Sequence, residues 1–291
     1  MNYLAPETVE EAVGLLAGAP AAKVFAGATD VIPQIRAGRP EPEVLIDLKG
    51  IERLTAISVS DRQWVIGAAT PTVRLTEHAQ LAAEFPGLVE AAGLIGSDQI
   101  QTRCSLGGNL CNASPAADSV PAMIVNGVRA VVANGSGTRT APVAEVVTGP
   151  GTTSLAPGEF IVEFELDRRP PLTGDAYLRM IPRTEMDIAV VGAGVRVTLD
   201  GDGVCTDATV ALGAVAPTAV LVPDGAAALV GHTLQGDIPD EAIAALTEAA
   251  SAACNPIDDK RGTIAYRRQV AGVLAKRAAT IAAARAAAAG N

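Results

Sequence analysis

The sequence predicts an α+β protein in two parts, and three observations carry that reading. Residues 23–48 alternate a short apolar strand, a glycine loop, a helical turn and a second strand, a compact β-turn-α-β unit. Residues 55–59 and 63–68 are strand-like runs separated by Ser60, Asp61 and Arg62, the pattern of a hairpin. Beyond the proline- and glycine-bearing stretch 168–174, strands come first and two long alanine-rich helices follow, as in a separate α+β domain.

Each element has a local reason. Thr8 is a capping residue followed by Glu10, Glu11 and apolar positions at helical spacing, so residues 6–16 should form a short amphipathic helix. Residues 23–25 enter the first glycine loop as a buried strand. A helical turn at 31–38 ends at Gly38, and 43–48 returns as a strand. Helices are expected at 72–78 and 87–94, and a helix-like apolar stretch at 122–125. Strands follow at 130–133 and 160–166, the second with a clean period of two. In the second half, strands at 187–191, 194–199 and 207–212 predict a three-stranded antiparallel sheet, covered by helices at 240–253 and 263–288.

Composition narrows the function. The chain has 291 residues, enough for two domains, with 49% hydrophobic residues but only 3% aromatic ones. Small side chains therefore build the interior, which makes close backbone approaches easy. A formal net charge of -10 disfavours nucleic acid or an anionic membrane as partner. The basic residues Lys260, Arg261, Arg267, Arg268, Lys276 and Arg277 read as a solvated helix face. There is no long uncharged apolar run, and the N-terminus lacks the regions of a signal peptide, so a soluble cytoplasmic protein without membrane insertion is expected. Cys104, Cys111, Cys205 and Cys254 form no CxxC pair, and His78 and His232 show no partner spacing, so no metal site is expected on this chain.

Two stretches carry the chemistry. Val24 and Phe25 lead into Ala26-Gly27-Ala28-Thr29-Asp30, and Ser105-Leu106-Gly107-Gly108-Asn109 forms a second small-residue loop. Each offers backbone amides beside a hydroxyl and an amide or carboxylate, which suits a phosphate-bearing ligand. Either alone could be a tight turn; together they suggest a dinucleotide held between two loops. Ser114 and Asp118 add a hydroxyl and a carboxylate nearby, with Asp118 suited to a ribose hydroxyl or to capping a helix that starts near Ser119. No G-x-G-x-x-G, Walker or G-x-S-x-G pattern is present, which leaves redox chemistry by a bound cofactor as the better class.

These residues resemble the FAD-binding medium subunit of molybdenum hydroxylases, the group containing carbon monoxide dehydrogenase, xanthine dehydrogenase and nicotine dehydrogenase. The resemblance continues through Ile66-Gly67-Ala68-Ala69-Thr70, Gly149-Pro150-Gly151, the stretch from Tyr177 through Arg183 to Asp187, residues 212–218, Asp259 and Tyr266-Arg267-Arg268. It implies a two-lobed FAD-binding domain of the vanillyl-alcohol oxidase and MurB type at 1–173, with lobes 1–56 and 57–173, and a C-terminal flavin-subunit domain at 175–291. It further implies that 26–30 and 105–109 wrap the FAD pyrophosphate and that Ser114 and Asp118 lie toward the ribose and adenine. Tyr177 would approach the isoalloxazine ring, or else anchor the second domain from the core or the surface.

By the same resemblance the chain carries electrons and has no catalytic residue of its own. A large partner subunit would hold the molybdenum cofactor and a small one two [2Fe-2S] clusters, assembled as a dimer of heterotrimers, a heterohexamer. Electrons would pass through FAD to an external acceptor. Two departures stand out: Ala28 replaces a usual glycine and is expected to keep a negative φ, and Gln101 stands where an arginine is usual, with Arg103 expected to compensate phosphate charge. Cys111 is expected to be a small buried residue. Alternative readings are a stand-alone FAD oxidase or reductase of the same flavin fold, and a scaffold subunit that has lost FAD.

Overall fold

The computed structural model describes residues 1–19 and 21–289. Strands β1 (Asn2–Leu4), β2 (Ala22–Phe25) and β3 (Val44–Asp47) form a parallel sheet in the order β1-β3-β2. The helix Val9–Gly18 makes the crossover that parallel pairing requires. Its N-terminus is capped as expected: the Glu11 amide donates to the Thr8 hydroxyl at 3.1 Å. Val9 and Ala12 pack with Ile46, Leu48, Ile51 and Leu54. Strand β1 was not foreseen, because its three residues are exposed and carry no apolar alternation.

The second sheet is antiparallel and holds β4 (Ile57–Val59), β5 (Gln63–Gly67), β6 (Arg129–Asn134) and β7 (Gly137–Pro142). A short ribbon, β8 (Val147–Gly149) with β9 (Thr152–Thr153), leads to β10 (Phe160–Asp167), which fills the centre of the order β4-β5-β10-β6-β7. The expected period of two along β10 is interrupted. A bulge between Ile161 and Glu163 shifts the register against β6. Phe160 and Val162 therefore join the core of the first lobe, while Ile161, Phe164 and Leu166 join that of the second. One strand serves two cores.

The third sheet corrects the expected three-stranded one. It has four antiparallel strands in chain order, β11 (Thr173–Met180), β12 (Val191–Leu199), β13 (Cys205–Gly213) and the two-residue β14 (Val220–Leu221). Thr173 and Gly174, read as linker, open β11, whereas residues 187–190 are irregular and only Val191 belongs to β12. The long helix Ile264–Ala288 lies across β11 and β12 with Ala271, Ala275, Ala278, Ala282 and Ala286 buried. Gly174 permits that approach: a Cβ there would stand 2.2 Å from the Ala282 carbonyl oxygen. Arg267 departs from the predicted solvated face. It is 4% exposed and donates to the carbonyls of Val190 and Ala214 and to Asp259.

The polar face of β11 joins the two halves. Asp175 is buried and accepts from the amides of Gly87 and Leu88, which begin the helix Pro86–Gly93, and from the Asn126 side chain at 2.8 Å. It also pairs with Arg169 at 3.0 Å. Replacing it with alanine would strand a buried guanidinium and two helix-end amides. Asp175→Ala should cost about 3–5 kcal/mol of stability, read as a lower urea midpoint, whereas an unchanged midpoint would refute a structural role for this carboxylate.

Candidate functional site

The first loop leaves β2 at the carboxyl edge of the parallel sheet and lines a polar cleft with every residue from Val24 to Asp30. The opposite wall comes from Ser105, Gly108 and Asn109, at the start of the helix Leu106–Cys111. Gly27 brings the walls into contact. A Cβ on it would lie 1.9 Å from the Arg103 carbonyl oxygen, so no other residue fits between the loops.

The two loops are chemically unequal. The amides of Gly107, Gly108 and Asn109 are already engaged, with the Ala68 carbonyl at 3.0 Å, the Ser105 hydroxyl at 3.1 Å and the Ser105 carbonyl at 2.9 Å. Ser105 is thus an N-cap. By contrast, among the described residues the amides of Gly27, Ala28 and Thr29 have no protein acceptor. Successive amides around a left-handed residue make an anion-binding nest. Ala28 is that residue, with φ +59°, and not the negative φ expected. The first loop, rather than the pair, is the donor surface.

The other expected residues separate. Asn109 lines the cleft through its helix, but its side-chain oxygen accepts from the Ser119 amide at 3.3 Å and hydroxyl at 2.7 Å. Asp118 stands at the N-cap position of the helix Ser119–Val125 without capping it. Instead it is buried, accepting from the Tyr177 hydroxyl at 2.9 Å and from Arg179 at 2.6 Å. Burial pushes its carboxyl up to about 6, against the pull of Arg179 and Tyr177. Tyr177 is 2% exposed, and its hydroxyl is raised well above the ordinary tyrosine range by burial and by the Asp118 charge. Neither lines the cleft, so their geometry is that of a domain anchor.

Charge on the cleft wall also differs from expectation. Arg103 is exposed and contributes its carbonyl to the Gly27 contact, while Gln101 turns away and donates to the Gly93 carbonyl at 2.7 Å. Lys23 and Arg39 are the cations on the wall. Gln34, also missed, ties the walls together by donating to the Asn112 side-chain oxygen at 2.8 Å. A single polar residue in a short helix carries no pattern that would have marked it.

The cleft continues into a pocket with apolar walls from Leu48, Ala68, Ala69, Leu155 and Phe160, where Gly107 also lies. Phe25, Ala26 and Gly108 line both spaces. Cys111 stands at their junction; it is exposed along the cleft, not buried as expected. A third cavity of about 380 Å³ lies between Ser114, Pro115 and Pro150 on one side and Ala189, Ala214, Pro217 and Arg267 of the second half on the other. Ser114 faces this cavity.

An amide nest flanked by cations and continuous with an apolar pocket suits an extended phosphate-bearing cofactor. The comparisons agree. The family model described as the FAD binding domain in molybdopterin dehydrogenase matches residues 1–167, and that of the CO dehydrogenase flavoprotein C-terminal domain matches 176–282. The chain belongs to this family and is an FAD-binding subunit of an oxidoreductase. It is 34% identical to the carbon monoxide dehydrogenase medium chain of Hydrogenophaga pseudoflava, over 95% of each chain. It is 30% identical to the 6-hydroxypseudooxynicotine dehydrogenase complex subunit alpha of Paenarthrobacter nicotinovorans, over 95% of this chain and 92% of the relative. The solved carbon monoxide dehydrogenase of Hydrogenophaga pseudoflava superposes with a TM-score of 0.92 at 33% identity, covering 98% of both chains.

Two outcomes follow from the site. Ala28→Gly should raise stability by about 0.5–1 kcal/mol, the left-handed cost less the added chain entropy, measured by denaturant unfolding; a loss of stability would refute strain at Ala28. Glu159, on the wall of the apolar pocket, is held down to about 2 chiefly by Arg139. A depressed folded pKa stabilises above the ordinary carboxyl range and is lost on acidification. The stability gap between wild type and Glu159→Gln should therefore be open at pH 6 and close as the pH falls from about 4.5 toward about 2.

Proposed function

We propose that this chain is the electron-carrying flavin subunit of a multi-subunit molybdenum hydroxylase. Substrate is oxidised on a large subunit holding the molybdenum cofactor, electrons cross [2Fe-2S] clusters of a small subunit, and FAD on this chain hands them to an external acceptor. The three subunits assemble as a dimer of heterotrimers, and the protein works in the cytoplasm. The division of labour within the chain falls at 1–173 and 175–291.

The observation that carries the reading is the run of unpartnered amides at Gly27, Ala28 and Thr29, facing a cleft whose wall also bears Lys23 and Arg39. Those groups suit a pyrophosphate, with the Thr29 hydroxyl beside them, while Ser105, Gly107, Gly108 and Asn109 shape the facing wall. Val24 and Phe25 line both the polar cleft and the apolar pocket, where one ring system would lie. Ser114 and the proline-walled cavity at the domain seam would receive the other. FAD supplies the electron exchange when bound. The residues bind it, neutralise its phosphates and keep one side dry; Asp118 and Tyr177 act at a distance by fixing the second domain against the first.

Two exposed apolar residues, Ile188 and Ile257, line the seam cavity and offer contact area to a partner subunit. Among the described residues no helix is long and apolar enough to cross a membrane.

Purified wild-type chain should bind FAD with a visible flavin band, and Gly27→Ala should abolish that binding by forcing the loops apart. Isolation of the native complex should return molybdenum, iron and flavin together. A chain that takes up no flavin would overturn the reading in favour of a scaffold subunit; substrate turnover by the chain alone would favour a stand-alone flavoenzyme.

A further inference from the structure

The geometry points to Lys49 as the residue that turns the first glycine loop toward the pyrophosphate, a positioning role that rests on the FAD reading above. Lys49 lies in the single turn Leu48–Gly50, directly after β3 at the carboxyl edge of the parallel sheet. Its ammonium donates to the Ala26 carbonyl at 2.9 Å and to Asp47 at 2.6 Å. It also stands over the Phe25 ring, 4.5 Å from the centroid. Asp47 is buried and is held in place by the Tyr3 hydroxyl at 2.5 Å and the Lys49 amide at 3.0 Å. The ammonium is therefore fixed by a carboxylate, a carbonyl and a ring face.

The consequence follows from peptide planarity. The Ala26 carbonyl and the Gly27 amide are two ends of one trans peptide group, and they point in opposite directions. Lys49 lines neither the polar cleft nor the apolar pocket, so it sits behind the loop wall. By drawing the Ala26 oxygen backward it sends the Gly27 N–H forward, where among the described residues it meets no protein acceptor. Glycine has no side chain to set that peptide plane by packing. Lys49 performs the task, with its own charge balanced by the Asp47 carboxylate at 2.6 Å.

The experiment uses the purified full-length chain titrated with FAD, ADP and riboflavin. Lys49→Met should weaken FAD and ADP binding by roughly 10- to 100-fold and leave riboflavin, which has no phosphate, unaffected. Lys49→Arg should recover most of the loss, since a guanidinium can reach a carbonyl and carry the charge. Lys49→Gln, which keeps a donor but no charge, should fall between them and serves if the methionine variant does not fold. Arg53→Met breaks an ion pair with Glu163 that lines neither the polar cleft nor the apolar pocket, and should lower the melting temperature without changing FAD affinity. Equal losses for riboflavin and FAD, or an FAD affinity in Lys49→Met within about twofold of wild type, would overturn the inference. If wild type binds neither FAD nor ADP, the FAD reading itself fails; if it binds both and Lys49→Met matches it, only the role of Lys49 fails.

Discussion

Asp175, Tyr177 and Arg179 occupy alternate positions of β11 and so project to one side, into the first half of the chain. Ala176, Leu178 and Met180 project to the other side, into the core of the second half. One strand thereby belongs to both halves: its apolar face is a piece of sheet core, and its polar face is a set of buried bonds. Asp175 holds the start of the helix Pro86–Gly93, and Asp118 receives both Tyr177 and Arg179. Buried charges tolerate little displacement, because each partner left alone carries its full desolvation cost. The cavity at the seam, with Ser114 on one wall and Ala214 on the other, lies between the two halves that this strand joins.

A second constraint operates within the first half, where Gly27 touches the Arg103 carbonyl. Backbone contact of this kind fixes the cleft width without side chains. It also explains how two similar-looking loops differ in role. The second loop spends its amides internally, on Ala68 and Ser105, and becomes a rigid wall. The first leaves its amides open and pays for that with a left-handed alanine at position 28. Backbone strain and unsatisfied donors in the same three residues are what a ligand loop requires.

Legibility in the sequence followed the kind of force at work. The capped helix at Val9–Gly18, the β4–β5 hairpin and the alanine-rich helices were readable because capping and apolar periodicity act over a few residues. Strand β11 was read as linker and anchor, since its buried face is polar and alternation then signals nothing about depth. The bulge in β10 was invisible for a related reason: Phe160 through Leu166 look uniformly strand-like, and only the presence of two cores shows why the parity must change. At the site, the stretch Val24 to Asp30 lines the cleft as one run, whereas Asp118 is engaged by Tyr177 and Arg179 of β11.

The sequence alone determined the α+β class, the family and the two glycine stretches, because these rest on composition, local spacing and ordered motifs. Tertiary structure decided which loop donates, which cations face the cleft, and where Asp118 and Tyr177 spend their bonds. A free amide and an engaged one have the same one-letter code. Only the positions of the Ala68, Ser105 and Arg103 oxygens, brought in from distant parts of the chain, tell them apart.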